Sequence, residues 1–197
     1  MVAVPVTPPP FVARVERVAA ADLPYSWHPG CPVAPAQLRR VRLRYVGFDG
    51  KAHMGELVVN ARVAHDVVVV FRLLYRARFP IRQMRPIDVF HGSDSRSTAA
   101  DNTSAFNCRY AVRSGPKSWS MHAYGEAIDV NTVENPYVQS GRVTPPNATP
   151  FADRTKMRPG MAVEGGALVR AFARVGWSWG GRWTGSPDYQ HFSTNGR

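Results

Sequence analysis

One stretch of the sequence, SMHAYGEAID, holds side chains whose types and spacing suit a metal ion. It places His122 and Asp129 on either side of Gly125, and glycine permits the backbone conformation that a tight turn needs. If the chain turns at Gly125 and enters a strand near Ala127, the two side chains converge, and the small Ala127 shares a strand face with Asp129 and leaves room for an ion. Imidazole nitrogen and carboxylate oxygen are normal zinc ligands. We therefore expect a metal centre here; the alternative is a core turn that contains both residues.

The segment DYQHF near the C-terminus supplies the other groups that a hydrolytic zinc centre needs. Such a centre has three protein ligands and one open position, and His191 is the candidate third ligand. Asp188 precedes it by three residues and is the candidate general base, which would take a proton from the attacking water and pass it to the leaving amine. We expect one Zn²⁺ ion, with another divalent ion as the alternative.

The four remaining histidines are expected to lie outside the site. His53 falls on a predicted strand and His65 near the start of a predicted helix, where a solvated or hydrogen-bonded histidine is the ordinary case. His28 and His91 fall in loops, beside a proline and a glycine.

Residues 37–197 have the patterns of an α+β domain, a small mainly antiparallel sheet with flanking helices. A hairpin is predicted around Asp49–Gly50, between RRVRLRYVGF and HMGELVVN. Helices are predicted over 63–79, ending before Pro80, and within AVEGGALVRAFARV. Short strands are predicted in RPIDVF, AFNCRYAV and GEAIDVN and at the C-terminus, and residues 92–104 are predicted to form a loop.

Residues 1–36 hold many of the prolines and predict an N-terminal arm that packs on the domain. Within this arm, the stretch FVARVERVAA has helical periodicity. The chain start, MVAVPVTPPPF, lacks the basic and apolar regions of an intact signal peptide. We therefore expect either a cytoplasmic protein or one whose signal has been removed.

Composition narrows the class of protein. The chain has 197 residues, 44% of them hydrophobic, and a net charge of +11, which suits one globular domain with an anionic partner or a basic solvated face. Nucleic acid is not the expected partner, because the basic residues are spread along the chain and no nucleic-acid-binding motif is present. No membrane span is expected, since the apolar stretch from Val67 is interrupted by arginines.

Composition leaves open whether Cys31 and Cys108 form a disulfide or remain buried thiols.

These motifs resemble a known enzyme family. The pattern SxHxxGxAxD followed by DxxHF is similar to that of the zinc D-alanyl-D-alanine carboxypeptidases (VanY-like), a family that also includes L-alanyl-D-glutamate endopeptidases. The segments NTSAFNCR, HAYGEAIDVN, NPYV, WSWGG and GFDGKAHMGELVVN resemble one branch of it, so that the resemblance covers roughly residues 25–193.

The resemblance implies a Hedgehog/DD-peptidase-like fold and a single zinc ion held by His122, Asp129 and His191. It implies Asp188 as general base, one methylene shorter than the glutamate of the best-known members. By position it also implies Arg109 as the group that stabilises the oxyanion or holds a substrate carboxylate, in NCR rather than the more familiar GYRS. A structural salt bridge is the alternative role for this arginine, and two weaker candidates are Arg96 and Arg113.

Further expectations follow from the same resemblance. Ser120 would bind substrate or, alternatively, stabilise the turn with its hydroxyl, and Trp183 and Trp179 would wall the pocket or pack in the core. Cys31 and Cys108 would form a disulfide, because peptidoglycan lies outside the cytoplasm.

The resemblance also implies where the protein acts and on what. The expected protein is a monomeric, extracytoplasmic peptidase that acts on peptidoglycan peptides and is attracted by anionic cell-wall polymers. The alternative is a zinc-bearing wall-binding module without hydrolytic activity.

Overall fold

A long antiparallel hairpin forms the framework of the fold. In the computed structural model, which describes residues 9–112 and 116–196, β2 (Leu38–Val46) and β3 (Ala52–Asn60) pair along their whole length. The turn between them contains Gly50 with φ of 72°, which confirms the hairpin predicted around Asp49–Gly50.

A third strand, β1 (Ala13–Arg17), pairs antiparallel with β2 and forms one edge of this sheet. The helical periodicity noted in FVARVERVAA therefore does not correspond to a helix. Ala13 and Val15 lie opposite Leu43 and Val41, so the apolar positions repeat every two residues, and backbone pairing with β2 outweighs the helical spacing of the apolar residues.

The arm that follows β1 covers the outer face of the sheet, opposite the inner face on which two helices pack. Val18, Leu23 and Val33 form a small apolar core with Leu38 and Val58. Packing of this segment is thus observed over the described residues from 9 onward, whereas a domain division at residue 36 stays a prediction.

Two helices fill the inner face of the hairpin. Both were predicted: α1 (Ala64–Arg76) lies within the expected 63–79, and the segment of the last predicted helix forms α3 (Ala167–Ala173). Phe71 and Phe172 are fully buried in the core they share with the hairpin. Among the described residues, no helix is long and apolar enough to cross a lipid bilayer.

A second small sheet lies beside this core. Its strands run in the order β6 (Ala127–Asp129), β10 (His191–Ser193), β9 (Ser178–Trp179), and both pairings are antiparallel. Phe192 of the central strand stacks on Phe172 of α3 with ring centroids 4.1 Å apart, so the sheet is fixed to the helical layer. The predicted strands in GEAIDVN and at the C-terminus are confirmed.

The remaining elements are short. β4 (Gln83–Met84) and β5 (Asn102–Thr103) form a parallel pair, and β7 (Tyr137–Gln139) and β8 (Arg142–Thr144) an antiparallel one. The α+β class with small, mainly antiparallel sheets is confirmed.

Three local predictions fail here. RPIDVF is a 3-10 helix over Ile87–Phe90, because the Asp88 carboxylate turns toward the arm and accepts hydrogen bonds from the backbone of Tyr25 and Ser26 and from the Ser26 hydroxyl. The predicted loop 92–104 contains α2 (Asp94–Ala99), whose first turn is capped by the Ser93 hydroxyl. In place of a strand, AFNCRYAV has a single bridge between Tyr110 and Trp119.

A disulfide joins the arm to the segment that leads into the candidate site. Cys31 and Cys108 are bonded, as expected, across 77 residues of sequence. The Cys108 amide also donates to the carbonyl of Ser26 at 2.9 Å. These two contacts fix the backbone next to Arg109 to the N-terminal arm.

A buried acidic residue lies in the loop that follows β6. Glu134 is 2% exposed, it accepts a hydrogen bond from Arg82, and its Oε2 has no partner in the described structure. Burial first, and then the neighbouring Asp101 carboxylate, raise the pKa of Glu134 to about 7, although Arg82 acts in the opposite direction.

We expect Glu134→Gln to change the pH dependence of stability. The folded chain keeps the Glu134 proton up to about pH 7, whereas the unfolded chain loses it near its ordinary pKa of 4.5, so the free energy of unfolding of the native protein falls as pH rises between these values. Glutamine does not titrate, so the free energy of unfolding of the variant does not fall in this way. At pH 8 it should exceed that of the native protein by on the order of 3 kcal/mol at most.

Urea unfolding at pH 5 and pH 8, in the presence of chelator, measures this effect. Glu164→Gln is the matched control, because Glu164 is paired with Arg182 at the surface and its pKa is lowered. An unchanged pH dependence in Glu134→Gln would contradict the assignment.

Candidate metal centre

A short 3-10 helix over Met121–Tyr124 carries the first candidate ligand, His122. The Ser120 hydroxyl caps this helix by accepting from the backbone amide of His122 at 3.3 Å. Gly125 ends it with φ of 69°, and its carbonyl accepts from the Asn60 amide at 2.8 Å. A Cβ on residue 125 would lie 2.6 Å from that Asn60 nitrogen. The turn therefore needs glycine both for its conformation and for the close approach to β3.

The other two candidate ligands face each other across a strand pair. In the antiparallel ladder of β6 and β10, Asp129 lies directly opposite His191. Directly opposed residues place their side chains on the same face, about 4.5–5.5 Å apart at Cβ. The register thus brings together two residues that are 62 positions apart in sequence.

Ligand atoms of the three residues converge at the spacing of a tetrahedral zinc shell. His122 Nε2 lies 3.2 Å from His191 Nδ1 and 3.3 Å from Asp129 Oδ2, and His191 Nδ1 lies 3.2 Å from Asp129 Oδ1. Atoms bonded at 2.0–2.1 Å to a tetrahedral centre are about 3.3–3.4 Å apart. All three residues are buried, with exposures of 4–7%. The donor set, its spacing and its burial fit a zinc ion.

Neighbouring groups prepare two of these side chains for binding a cation. The Nδ1–H of His122 donates to the carbonyl of Ala105 at 2.6 Å, which leaves Nε2 as the ring nitrogen that faces the other candidate ligands. Burial on its own would raise the pKa of Asp129, but the interactions with His122 and His191 outweigh it and hold this pKa well below its usual range. Asp129 is therefore an ionised carboxylate.

Asp188 lies at the turn that enters β10. Its amide donates to the carbonyl of Gly180 at 3.0 Å, and its own carbonyl accepts from the His191 amide at 3.3 Å. A Cβ on residue 180 would lie 2.7 Å from the Asp188 carbonyl oxygen and 3.2 Å from the His191 Cβ. Gly180, in the motif WSWGG, therefore allows this turn to pack closely, a role that only the three-dimensional structure reveals.

The Asp188 carboxylate has the environment of a proton acceptor. Its Oδ1 is buried and has no hydrogen-bond partner in the described structure. Burial first, and then the negative charge of Asp129, raise the pKa of Asp188 to about 6. A bound cation would act against both effects.

The two tryptophans differ in position. The Trp183 ring lies 5.2 Å from the His191 ring, and its Nε1–H donates to the carbonyl of Gly196 at 2.9 Å. Trp179 is buried in the main core beside Phe192. Trp183 therefore borders the candidate centre, and Trp179 is a core residue.

The backbone of Arg109 is hydrogen-bonded to the residue that precedes the His122 turn. Its carbonyl accepts from the Ser120 amide at 3.1 Å. Its guanidinium forms an ion pair with Asp94 of α2 at 2.9 Å, and its Nε is buried without a hydrogen-bond partner among the described residues. Sequence reasoning missed Asp94, because nothing in the local pattern links α2 to the segment of Arg109.

The other candidates lie elsewhere. Arg96 is exposed on α2, and Arg113 lies outside the described residues. His53 pairs with Asp49 in the hairpin turn, and the remaining three histidines, His28, His65 and His91, are exposed. His28 lies near both cysteines, but the disulfide occupies the two sulfur atoms that a metal would need.

Comparison with known proteins gives one match. A family model described as D-alanyl-D-alanine carboxypeptidase matches residues 114–194, a range that contains the three candidate ligands and Asp188 but not Arg109. The match covers less than half of the chain and shows a similarity to this family in the segment that carries the candidate centre. No curated protein and no solved structure shows significant similarity to the chain.

We expect His122→Ala and His191→Ala to lose zinc binding. Each removes one of three ligands, whereas His65→Ala, at an exposed position of α1, should bind zinc like the native protein. Binding to the native fold raises the melting temperature in proportion to the logarithm of ligand concentration. Elemental analysis and the zinc-dependent shift in melting temperature measure the loss, and a native shift in either site variant would exclude that residue as a ligand.

Proposed function

We propose that the chain is a zinc-dependent peptidase that hydrolyses an amide bond of peptidoglycan stem peptides. The observation that carries this proposal is the convergence of His122, Asp129 and His191 at tetrahedral spacing. The family match over residues 114–194 supports the class of reaction.

The residues divide the chemistry between them. A zinc ion held by the three ligands would supply Lewis acidity toward the scissile carbonyl and activate water for attack. Asp188, whose Oδ1 is buried without a partner, accepts the proton of the attacking water and returns it to the leaving amine.

Three further residues are proposed to act on the substrate. Arg109 retains an Nε–H without an acceptor and offers a positive charge to the oxyanion or to a substrate carboxylate. Trp183 forms an apolar wall against His191. Ser120 supports the His122 turn through its cap and is proposed to bind substrate as well.

The proposed place of action is outside the cytoplasm. The disulfide between Cys31 and Cys108 supports it, because disulfides persist in oxidising compartments. The net charge of +11 suits the anionic surroundings of a cell wall.

Digestion of purified muropeptides tests the proposed activity. Loss of a terminal D-alanine, detected by mass spectrometry, identifies a carboxypeptidase, and cleavage between L-alanine and D-glutamate identifies an endopeptidase. Absence of any cleaved product with the zinc-loaded protein would refute the proposal.

We expect Asp188→Asn to keep zinc and lose hydrolysis. The amide preserves the shape of the side chain but accepts no proton, and general-base catalysis contributes about 10²–10⁴-fold to rate. Zinc content measured on the same sample separates this effect from loss of the metal. Native turnover by the zinc-loaded variant would remove Asp188 from the mechanism.

Arg109→Gln should lower kcat by about 10²–10³-fold, the range measured for removal of one stabilising donor at an oxyanion. Asp94→Asn leaves Arg109 in place but removes its ion-pair partner, so a smaller loss is expected. Zinc binding should stay native in both variants. If Arg109→Gln has native kcat and KM, the arginine is a structural residue.

A further inference from the structure

A groove of about 1550 Å³ lies between β1 and α1. One wall is the chain from Pro9 to Val15, and the other is the face of α1 that carries His65, Val68, Arg72 and Arg76. None of the candidate ligands, nor Asp188 or Arg109, lines it. The groove is thus separate from the metal centre.

The groove is positively charged. Five arginines line it, and no carboxylate does among the described residues. Arg42 is paired with Glu16 and Glu56, whereas Arg14, Arg72 and Arg76 are exposed and form no ion pair with a described carboxylate. Three guanidinium groups are thus available to an anionic ligand.

The floor between these arginines is apolar. Val15 is 47% exposed although it lies on the inner face of the sheet opposite Val41, and Phe11 packs against Tyr75 with ring centroids 5.7 Å apart. The Arg72 guanidinium covers the Phe11 ring at 5.6 Å. The groove therefore combines uncharged surface with cations along an elongated, open path.

We propose that this groove binds a phosphodiester-linked polymer of polyols or sugars, the chemistry of an anionic cell-wall polymer. Guanidinium groups match phosphate oxygens in a bidentate manner, and the apolar floor suits the carbon chain between successive phosphates. The identification of the polymer with the cell wall rests on the proposed function, whereas the affinity for phosphodiesters rests on the groove.

Two other occupants fit the groove less well. Single-stranded nucleic acid is bound by aromatic rings that stack on bases, but Tyr75 is buried and Phe11 is covered by Arg72. An acidic peptide would add to the edge of β1, but β1 has five residues and carries Arg14 and Arg17, and short, charged edge strands oppose strand addition.

Calorimetric measurement of poly(glycerol phosphate) binding to the full chain, at several salt concentrations, tests the proposal. Arg72→Gln combined with Arg76→Gln should weaken binding about tenfold and reduce the salt slope by about 1–2, since each lost phosphate contact removes roughly 0.7–1 from that slope. The matched control is Arg142→Gln with Arg174→Gln, which removes the same charge at exposed positions outside the groove.

Each outcome decides the question. Native binding by the groove variant, or equal losses in both variants, would overturn the proposal in favour of unspecific attraction by net charge. Tighter binding of an oligodeoxynucleotide or of poly-glutamate than of poly(glycerol phosphate) would replace the proposed ligand. Zinc binding by the groove variant verifies that it is folded. Hydrolysis of soluble muropeptides is measured separately, so that failure of one proposal does not contradict the other.

Discussion

The antiparallel pairing of β6 with β10 is the contact on which the candidate centre depends. It sets Asp129 opposite His191, and a shift of one residue in either strand would turn its candidate ligand to the opposite face of the sheet. The register is held by apolar packing, because Ile128 and Phe192, the next opposed pair, are fully buried. Phe192 also stacks on Phe172 of α3. The position of the ligands is therefore fixed by the hydrophobic core behind them.

The centre contains two carboxylates whose surroundings differ. Asp129 lies between two histidines that stabilise its charge, while Asp188 is partly buried and the charge of Asp129 opposes its ionisation. Environments that move two pKa values apart are a common way to assign different roles to similar groups. The same contrast is the basis for proposing Asp129 as a metal ligand and Asp188 as the proton acceptor.

The sequence predicted the parts of the site that depend on local spacing. Gly125, the strand at Ala127 and the hairpin at Asp49–Gly50 follow from turn chemistry and periodicity within a few residues. The helix of RPIDVF was missed because Asp88 bonds to residues 62 and 63 positions away. The partner of Arg109 was missed for the same reason, since α2 and the segment of Arg109 meet through tertiary packing. Contacts of this kind leave no periodic signal.

The distribution of charge separates the two proposed activities. Two cations near the candidate centre are neutralised by carboxylates: Arg109 by Asp94, and Arg62 by Glu126, whose side chain is in turn hydrogen-bonded to Thr194 just after β10. Arg14, Arg72 and Arg76, in contrast, have no such partner among the described residues. The groove between β1 and α1 therefore offers unpaired cations to a polyanion, whereas the two cations named near the candidate metal centre are already paired. In the two proposals, the polymer and the peptide would contact different surfaces, so that neither ligand would compete for the residues of the other.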